Sequence, residues 1–245
     1  MQTHRFAISS FLLAALGAGA APGCAAEEGA TAVPFPATCR ELQGNDPSLP
    51  DAEYTLYLRN DETKPWRAHC QNMSTSTPTE YLSLRRTGGT YNFSEFVRPG
   101  GPFGPVRTSY AKLKIDPVLM QIDIGDKDHA TRTGNTTFLD TPIDSMPFGV
   151  AVACGNTPAL AINTGNVAAG NIDLSGTGFV IADSFCVHNT QSGHAVLSSD
   201  RGRVEFAVVA PLQQNVCAWV APDPCPVDPW RPNTGGGLLD IEYSP

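Results

Sequence analysis

Seven cysteines constrain the fold of this 245-residue chain more than any other feature. The first, Cys24, follows a segment typical of an export signal, with a short basic start, an apolar stretch from Phe6 to Leu16 and a run of small residues. This apolar stretch is shorter than the roughly 20 residues that a membrane-spanning helix needs. Residues 1–23 are therefore predicted to be a signal peptide of the lipoprotein type that does not belong to the fold.

The position of Cys24 predicts a lipid-modified N-terminus, because bacterial signal peptidase II cuts before a cysteine that follows small residues. Lipidation leaves six cysteines, and an even number is what disulfide pairing in an exported protein requires. The alternative is ordinary cleavage after Ala20, which leaves Cys24 free or paired between chains. Residues 24–37 are rich in small residues, acids and proline, and they are predicted to form a flexible tether.

Charge narrows the range of partners. The formal net charge is −8, and a net anion is not attracted to nucleic acid or to an anionic bilayer. We therefore expect no nucleic-acid partner, and contact with a membrane only through the lipid on Cys24. The expected location is the outer membrane or the cell surface as a lipoprotein, or the medium as a secreted protein.

Short segments with alternating apolar and polar residues predict strands, and proline and glycine separate them. These segments are Tyr54–Leu58, Tyr81–Leu84, Ala111–Ile115, Leu119–Ile124, Gly178–Ala182, Arg203–Val209 and Leu238–Tyr243. One short helix is predicted from Thr38 to Gln43, where Thr38 and Glu41 have the spacing of a capping box. Residues 38–245 are thus predicted to form a single, mainly β domain, disulfide-bonded, antiparallel and sandwich-like, with little helix.

The sequence offers no recognisable catalytic motif. None of its five histidines belongs to His-Glu-x-x-His, and Gly-x-Ser-x-Gly is also absent. Cys186 and His188 resemble a thiol nucleophile with its base, but a disulfide is the better explanation for a cysteine in an exported chain. Paired carboxylates of a glycoside hydrolase depend on the fold and stay open as an alternative. No catalytic residue is predicted.

Three carboxylates, Asp123, Asp126 and Asp128, are close enough in sequence to supply oxygen ligands for calcium. Aspartate and glycine are also the ordinary residues of a tight turn between strands. Calcium is therefore one hypothesis for this segment and a turn is the other. No other metal or cofactor is expected.

Several segments together resemble the GON domain, the C-terminal module of a subgroup of the ADAMTS metalloproteases. The matching segments are Thr38–Leu42, Asp51–Tyr57, His69–Ser74, Pro78–Leu84, Tyr91–Ser94, Tyr110–Ile115, His129–Thr131, Pro147–Cys154 and Ile172–Phe179. The resemblance extends over nearly all of residues 38–245. His69 and Ala52 depart from it, since the family usually has tyrosine and glycine at these positions.

The resemblance implies an ancillary extracellular module. In the proteases the zinc-binding histidines lie in a separate domain, so a zinc metalloendopeptidase label would follow only from the family name. The family order also implies a Cys39–Cys70 disulfide, and sequential pairing then gives Cys154–Cys186 and Cys217–Cys225. Six cysteines allow 15 connectivities, so the last two pairs have little independent support.

The function predicted from the sequence is extracytoplasmic binding or surface interaction, without catalysis. The expected partner is an unknown extracellular protein or glycan. One alternative is a hydrolase acting on envelope or extracellular polymer, and another is a purely structural surface protein.

Overall fold

The computed structural model describes residues 32–98, 105–155, 167–189, 193–211, 213, 215–224 and 237–245. The predicted signal peptide, Cys24 and Cys225 lie outside these residues. Most regular structure in the described chain is β-strand, and the mainly β fold with little helix is confirmed. No helix among the described residues is long and apolar enough to cross a membrane.

The elements follow one another along the chain with short connections. In order they are α1 (Cys39–Asn45), β1 (Ala52–Tyr57), a 3-10 turn (Leu58–Asn60), β2 (Pro65–Gln71), β3 (Thr79–Ser83), β4 (Phe93–Val97), β5 (Val106–Tyr110), β6 (Lys112–Asp116), β7 (Gln121–Asp123), β8 (Ala130–Thr133), β9 (Thr136–Phe138), β10 (Thr141–Ile143), β11 (Ala151–Cys154), β12 (Val167–Asp173), β13 (Phe179–Ile181), β14 (Phe185–His188), β15 (His194–Leu197), β16 (Arg203–Val209), β17 (Cys217–Pro222) and β18 (Leu238–Tyr243).

The first sheet has the strand order β1-β2-β3-β6-β7-β18-β13. Its first three strands are consecutive in sequence and pair as antiparallel hairpins. β18, near the end of the chain, pairs with both β7 and β13 and so joins the distant halves of the sequence. This sheet places one face in the core and leaves the other face polar.

The second sheet has the order β14-β17-β11-β4-β12-β16-β15, with β5 paired to β4 and β8 paired to β5. Its pairings are antiparallel except for β4 with β11, which run parallel. Nearly every residue of β11 and β17 is buried. Such strands have no wet face, so their sequences lack the alternation that marks a half-exposed strand.

The predicted helix is present as α1. The Thr38 side chain accepts a hydrogen bond from the Glu41 N–H at 3.1 Å, as a capping box requires. The Glu41 carboxylate accepts from the N–H of Ala37, one residue before the position expected for the box. The N–H of Val33 donates to the Asn45 side chain at 2.8 Å, so the folded region begins before residue 38, where the sequence had placed the end of the tether.

A continuous apolar core lies between the elements. Its largest fully buried side chains include Tyr110, Phe96, Phe138, Phe148 and Phe206. Burial of an aromatic side chain of this size removes on the order of 150–250 Å² from water. The core therefore provides the main driving force for folding, and the disulfides add cross-links to it.

The structure contains the predicted Cys39–Cys70 disulfide. The other two predicted pairs are wrong, because Cys154 is bonded to Cys217. The reason is the register of the second sheet, in which β11 and β17 pair antiparallel with Cys154 directly opposite Cys217. Sequential pairing failed because the two strands that meet are 63 residues apart in sequence.

Cys186 is also disulfide-bonded, as an exported chain leads one to expect. It is thus not a free thiol nucleophile. Since Cys39, Cys70, Cys154 and Cys217 pair with one another, the cysteines left in the sequence are Cys24 and Cys225.

Candidate functional site

The outer face of the first sheet carries a band of polar side chains, here called the polar face. Strand register aligns Glu53 with His69, His69 with Tyr81, and Tyr81 with Lys114 across four strands. The alternation of β2 explains the arrangement, because its buried residues face the core while the residues between them point the other way. The polar face comprises Glu53, Arg67, His69, Gln71, Tyr81, Ser83, Lys112 and Lys114.

Glu53 is the centre of this face. Its carboxylate accepts a hydrogen bond from the Ser83 hydroxyl at 2.5 Å. Arg67 Nε lies 3.3 Å from Glu53 Oε2, and Lys112 Nζ lies 3.8 Å from Glu53 Oε1. The Ser83 hydroxyl and two cationic side chains thus surround the Glu53 carboxylate.

Two histidines lie beside this carboxylate. His69 Nδ1 is 3.6 Å from Glu53 Oε1, and the His129 ring meets the His69 ring edge to face at 5.4 Å. His129 Nε2 donates to the Gln71 side-chain oxygen at 2.6 Å. Burial lowers the pKa of both histidines below the usual value of 6.5, and Lys112 lowers it further. Both imidazoles are therefore held in the neutral form.

Tyr81 joins the sheet to the turn that follows β7. Its hydroxyl lies 3.1 Å from Asp128 and 3.4 Å from Asp126, so its one proton can be donated to either carboxylate. Burial, followed by the charges of these two carboxylates, raises the pKa of Tyr81 well above 10. The tyrosine thus remains a neutral donor that holds the turn against the sheet.

The structure does not bring the three calcium candidates together. Asp126 and Asp128 share the Tyr81 hydroxyl, whereas Asp123 lies 3.7 Å from Lys114 Nζ. Asp123 also accepts from the N–H of Gly125, as a turn-forming aspartate does. Within the described ranges, no group of three or more histidine, cysteine or acidic side chains is placed to hold a metal ion.

A cleft of about 590 Å³ adjoins the polar face. One wall comes from the first three strands and the residues after them: Thr55, Pro65, Trp66, Arg67, Ser83 and Arg85. The opposite wall comes from later parts of the chain, namely residues 175–180, Asp200, Gly202 and residues 243–245. Two segments distant in sequence therefore create this concavity.

Aromatic rings form the base of the cleft. Phe179 packs edge to face on Trp66 at 5.5 Å and on Tyr243 at 5.8 Å. Trp66 and Phe179 are almost fully buried, while Tyr243 keeps part of its surface exposed and donates to the carbonyl of Pro65 at 2.9 Å. Each ring of this aromatic base thus packs against a neighbouring ring.

Two arginines stand on the first wall of the cleft. Arg67 is oriented by Glu53, and Arg85 Nε donates to the carbonyl of Gly176 at 3.2 Å. Gly176 has a φ of +75°, in the left-handed region that glycine adopts without strain. The turn at Gly176 can therefore aim its carbonyl at Arg85, while the more exposed Arg67 is oriented by its ion pair with Glu53.

A second depression, of about 530 Å³, lies at the end of β6. Its rim includes Val118 and Leu119, whose exposed fractions are 65% and 64%. Charges of both signs, among them Lys114 and Asp116, surround this apolar rim. It provides a useful contrast to the cleft, whose lining is hydroxyl-rich and carries two arginines.

The GON domain family model matches residues 36–99. This segment belongs to the GON domain family. The resemblance found in the sequence is thereby confirmed for α1 and β1–β4, which include the Cys39–Cys70 disulfide. The match covers well under half of the chain, so the resemblance of later segments such as Ile172–Phe179 stays a prediction.

No curated protein and no solved structure matches the chain. The GON segment supplies one wall of the cleft and most of the polar face. The other wall is formed by residues outside the match.

Sequence analysis missed both the polar face and the cleft. Alternation in β2 would have placed Arg67, His69 and Gln71 on one face, since each is separated from the next by a buried residue. The partners on the other strands depend on register, which the sequence does not specify. In the sequence, His69 stands out only as a departure from the family pattern.

Proposed function

We propose that this protein is an exported, lipid-anchored binding protein whose ligand occupies the cleft, without catalysis. The cleft carries this proposal. Its volume lies within the range of small-molecule sites, and its polar groups are held in place around an aromatic base. The disulfides support export, because such bonds persist in oxidising compartments.

The partner is proposed to be an extracellular glycan or protein, and the anchor to be a lipid on Cys24 at the outer membrane or cell surface. No cofactor is required for this role. The GON match supports an ancillary role, because the family resemblance concerns a module outside the catalytic domain of the proteases.

Binding is tested with the full chain carrying Cys24→Ser, exported to an oxidising compartment and used to capture material from envelope and extracellular polysaccharide fractions. Thr55→Trp places a large side chain at an exposed cleft position and should abolish capture. Leu119→Trp makes a similar change at the second depression and should leave capture intact. Loss of capture in Leu119→Trp but not in Thr55→Trp would move the site to the second depression and refute the proposal.

Lipidation is tested by incorporation of labelled fatty acid. Label should enter the wild type and not Cys24→Ser. A mature chain that begins at Ala21 would show ordinary signal-peptidase cleavage instead.

A hydrolase acting on envelope polymer is the second candidate. The observation in its favour is that Ser83 contributes to the cleft wall while its hydroxyl contacts Glu53, next to His69. In a hydrolytic triad, however, the serine hydroxyl faces a histidine that accepts its proton, and here the serine donates to the carboxylate. His69→Gln separates the two candidates, because it removes the histidine that a hydrolase would need as a base while His69 is not among the cleft residues. The change should abolish polymer hydrolysis by an enzyme and leave a binding protein able to capture its ligand.

A further inference from the structure

We infer that the ligand of the cleft is an acidic saccharide, a sugar polymer that carries carboxylate or sulfate groups. This inference rests on the proposed function and adds the chemical class of the ligand. It depends on three features of the cleft: the two arginines, the hydroxyl side chains and the aromatic base.

The arginines provide the charge. Arg67 and Arg85 are each positioned through Nε, by Glu53 and by the carbonyl of Gly176. Among the described residues, their terminal amino groups have no hydrogen-bond or ion-pair partner. A guanidinium fixed in this way presents a planar pair of N–H donors, which matches the two oxygens of a carboxylate or sulfate.

The charge around the cleft differs from that of the whole protein. The chain has a net charge of −8, whereas the charged side chains among the cleft residues are two arginines and Asp200, with Glu53 beside Arg67. Asp200 accepts hydrogen bonds from the Ser198 hydroxyl and the Gly202 N–H. Asp200 is thus held within its own turn, and Glu53 meets Arg67 at Nε, so the terminal N–H groups of both arginines are left to bind an anion.

The rest of the lining favours a sugar. Thr55, Ser175 and Ser244 bring hydroxyl groups, which both donate and accept hydrogen bonds as sugar hydroxyls do. Tyr243 offers a partly exposed ring at the base, fixed by Phe179 and by its bond to Pro65. An aromatic surface beside hydroxyl groups suits a ligand with an apolar C–H face and polar edges.

The experiment compares ligands of equal length on the Cys24→Ser chain by titration calorimetry at low salt. The probes are a hexameric uronate, its fully methyl-esterified form, a sulfated hexasaccharide and poly-glutamate. We expect the uronate or the sulfated sugar to bind at least about tenfold more tightly than the neutral ester, because bonds to a charged group are stronger. This preference should shrink as salt is added.

Variants then assign the preference to the arginines. Arg67→Gln/Arg85→Gln should lose about tenfold or more in affinity for the acidic sugar and bind the ester unchanged. Arg40→Gln/Arg59→Gln removes the same charge elsewhere on the GON segment and should change affinity less than twofold, by about the effect of net charge alone. Circular dichroism of each variant confirms that it is folded.

Several results would overturn the inference. Equal affinity for the ester, stronger binding of poly-glutamate, no binding of either acidic sugar, or an equal loss in the two arginine pairs would each do so. If capture from envelope fractions still depends on Thr55, the cleft remains the binding site and only the ligand class is wrong. If capture does not depend on Thr55, the proposed function itself fails.

Discussion

The GON segment and the later strands of the second sheet differ in how far apart in sequence their partners lie. In the GON segment, β1, β2 and β3 follow one another and pair in that order, and the Cys39–Cys70 disulfide spans 31 residues. In the second sheet β11 pairs with β17, and the Cys154–Cys217 disulfide spans 63 residues. The first region is built from local contacts and the second from distant ones.

The two regions also differ in exposure. The GON segment keeps a polar face on solvent, whereas β11 and β17 are buried on both sides. The polar face therefore carries side chains that can meet a ligand, whereas the side chains of β11 and β17 pack in the core. Changes in the second sheet should therefore cost the most free energy of unfolding, and changes on the polar face should cost the least.

The largest expected effect comes from the disulfides. On the chain-entropy estimate, Cys154→Ala/Cys217→Ala should lower the free energy of unfolding by about 4 kcal/mol. Cys39→Ala/Cys70→Ala should cost roughly 0.6 kcal/mol less, because its loop has about half the length. Denaturant unfolding of the two variants measures this difference, and non-reducing peptide mapping of the wild type confirms both bonds. A larger loss from Cys39→Ala/Cys70→Ala would contradict the dependence on sequence distance.

The second effect concerns Asn92, which links the GON segment to β12. This fully buried side chain donates to the carbonyls of Arg86 and Asp173 and accepts from the Asp173 N–H. Asn92→Ala leaves these buried groups unpaired. It should lower the free energy of unfolding by about 2–4 kcal/mol, since each unsatisfied buried group costs about 1–3 kcal/mol. Thermal and denaturant unfolding give the value.

The matched control is Asn45→Ala. Asn45 also makes two side-chain bonds to backbone, with Val33, but on an exposed surface where water replaces them. Asn45→Ala should therefore lower the free energy of unfolding by less than about 1 kcal/mol. An equal loss of free energy of unfolding in Asn45→Ala and Asn92→Ala would show that the burial of Asn92 does not determine its contribution to stability.

The same contrast explains which parts of the fold followed from sequence. Arg203–Val209 and Leu238–Tyr243 were predicted with their observed bounds, because each alternates between the core and solvent. β11 and β17 were missed because they are buried on both faces. The Cys154–Cys217 bond was missed for the same reason, since its two strands carry no local signal of their pairing.

The candidate site was less predictable than the fold. The polar face joins Glu53, His69 and Tyr81 from three strands, and only register aligns them. The cleft needs residues as far apart as Thr55 and Tyr243. The aspartates after β7 were found from sequence, but which of them face Tyr81 and which faces Lys114 depended on the tertiary structure.

A smaller effect is expected for Tyr81, on the polar face. Tyr81→Phe removes the hydroxyl that reaches Asp126 and Asp128. The two carboxylates regain water, so the cost should be about 1 kcal/mol. Hydrogen exchange should accelerate in residues 125–129, because Tyr81 holds that turn on the sheet.

Tyr54→Phe serves as the comparison for Tyr81. It lies on β1 and loses one bond, to the carbonyl of Pro50. Tyr54→Phe should not change the rate of hydrogen exchange in residues 125–129. Faster exchange of that turn in Tyr54→Phe would indicate general loosening of the sheet instead of a specific tether.

The smallest effect is the pH dependence contributed by His69 and His129. Burial and the charge of Lys112 lower the pKa of His69, although Glu53 and Asp51 act in the opposite direction. Burial, Lys112 and His69 lower the pKa of His129, although Asp128 and Asp126 raise it. Since each histidine has a pKa of about 6.5 in the unfolded chain, the unfolded state binds more protons just below that pH. The free energy of unfolding should therefore fall as the pH drops through 6.5 towards the pKa values of the folded state, and it should be fully recovered above pH 6.5.

Unfolding at pH 7.5 and 5.5 measures this loss of stability, which should be smaller in His69→Gln/His129→Gln than in the wild type. His188→Gln/His194→Gln, on the second sheet, is the matched control, and an equal reduction there would show that the polar face has no special part in the pH dependence.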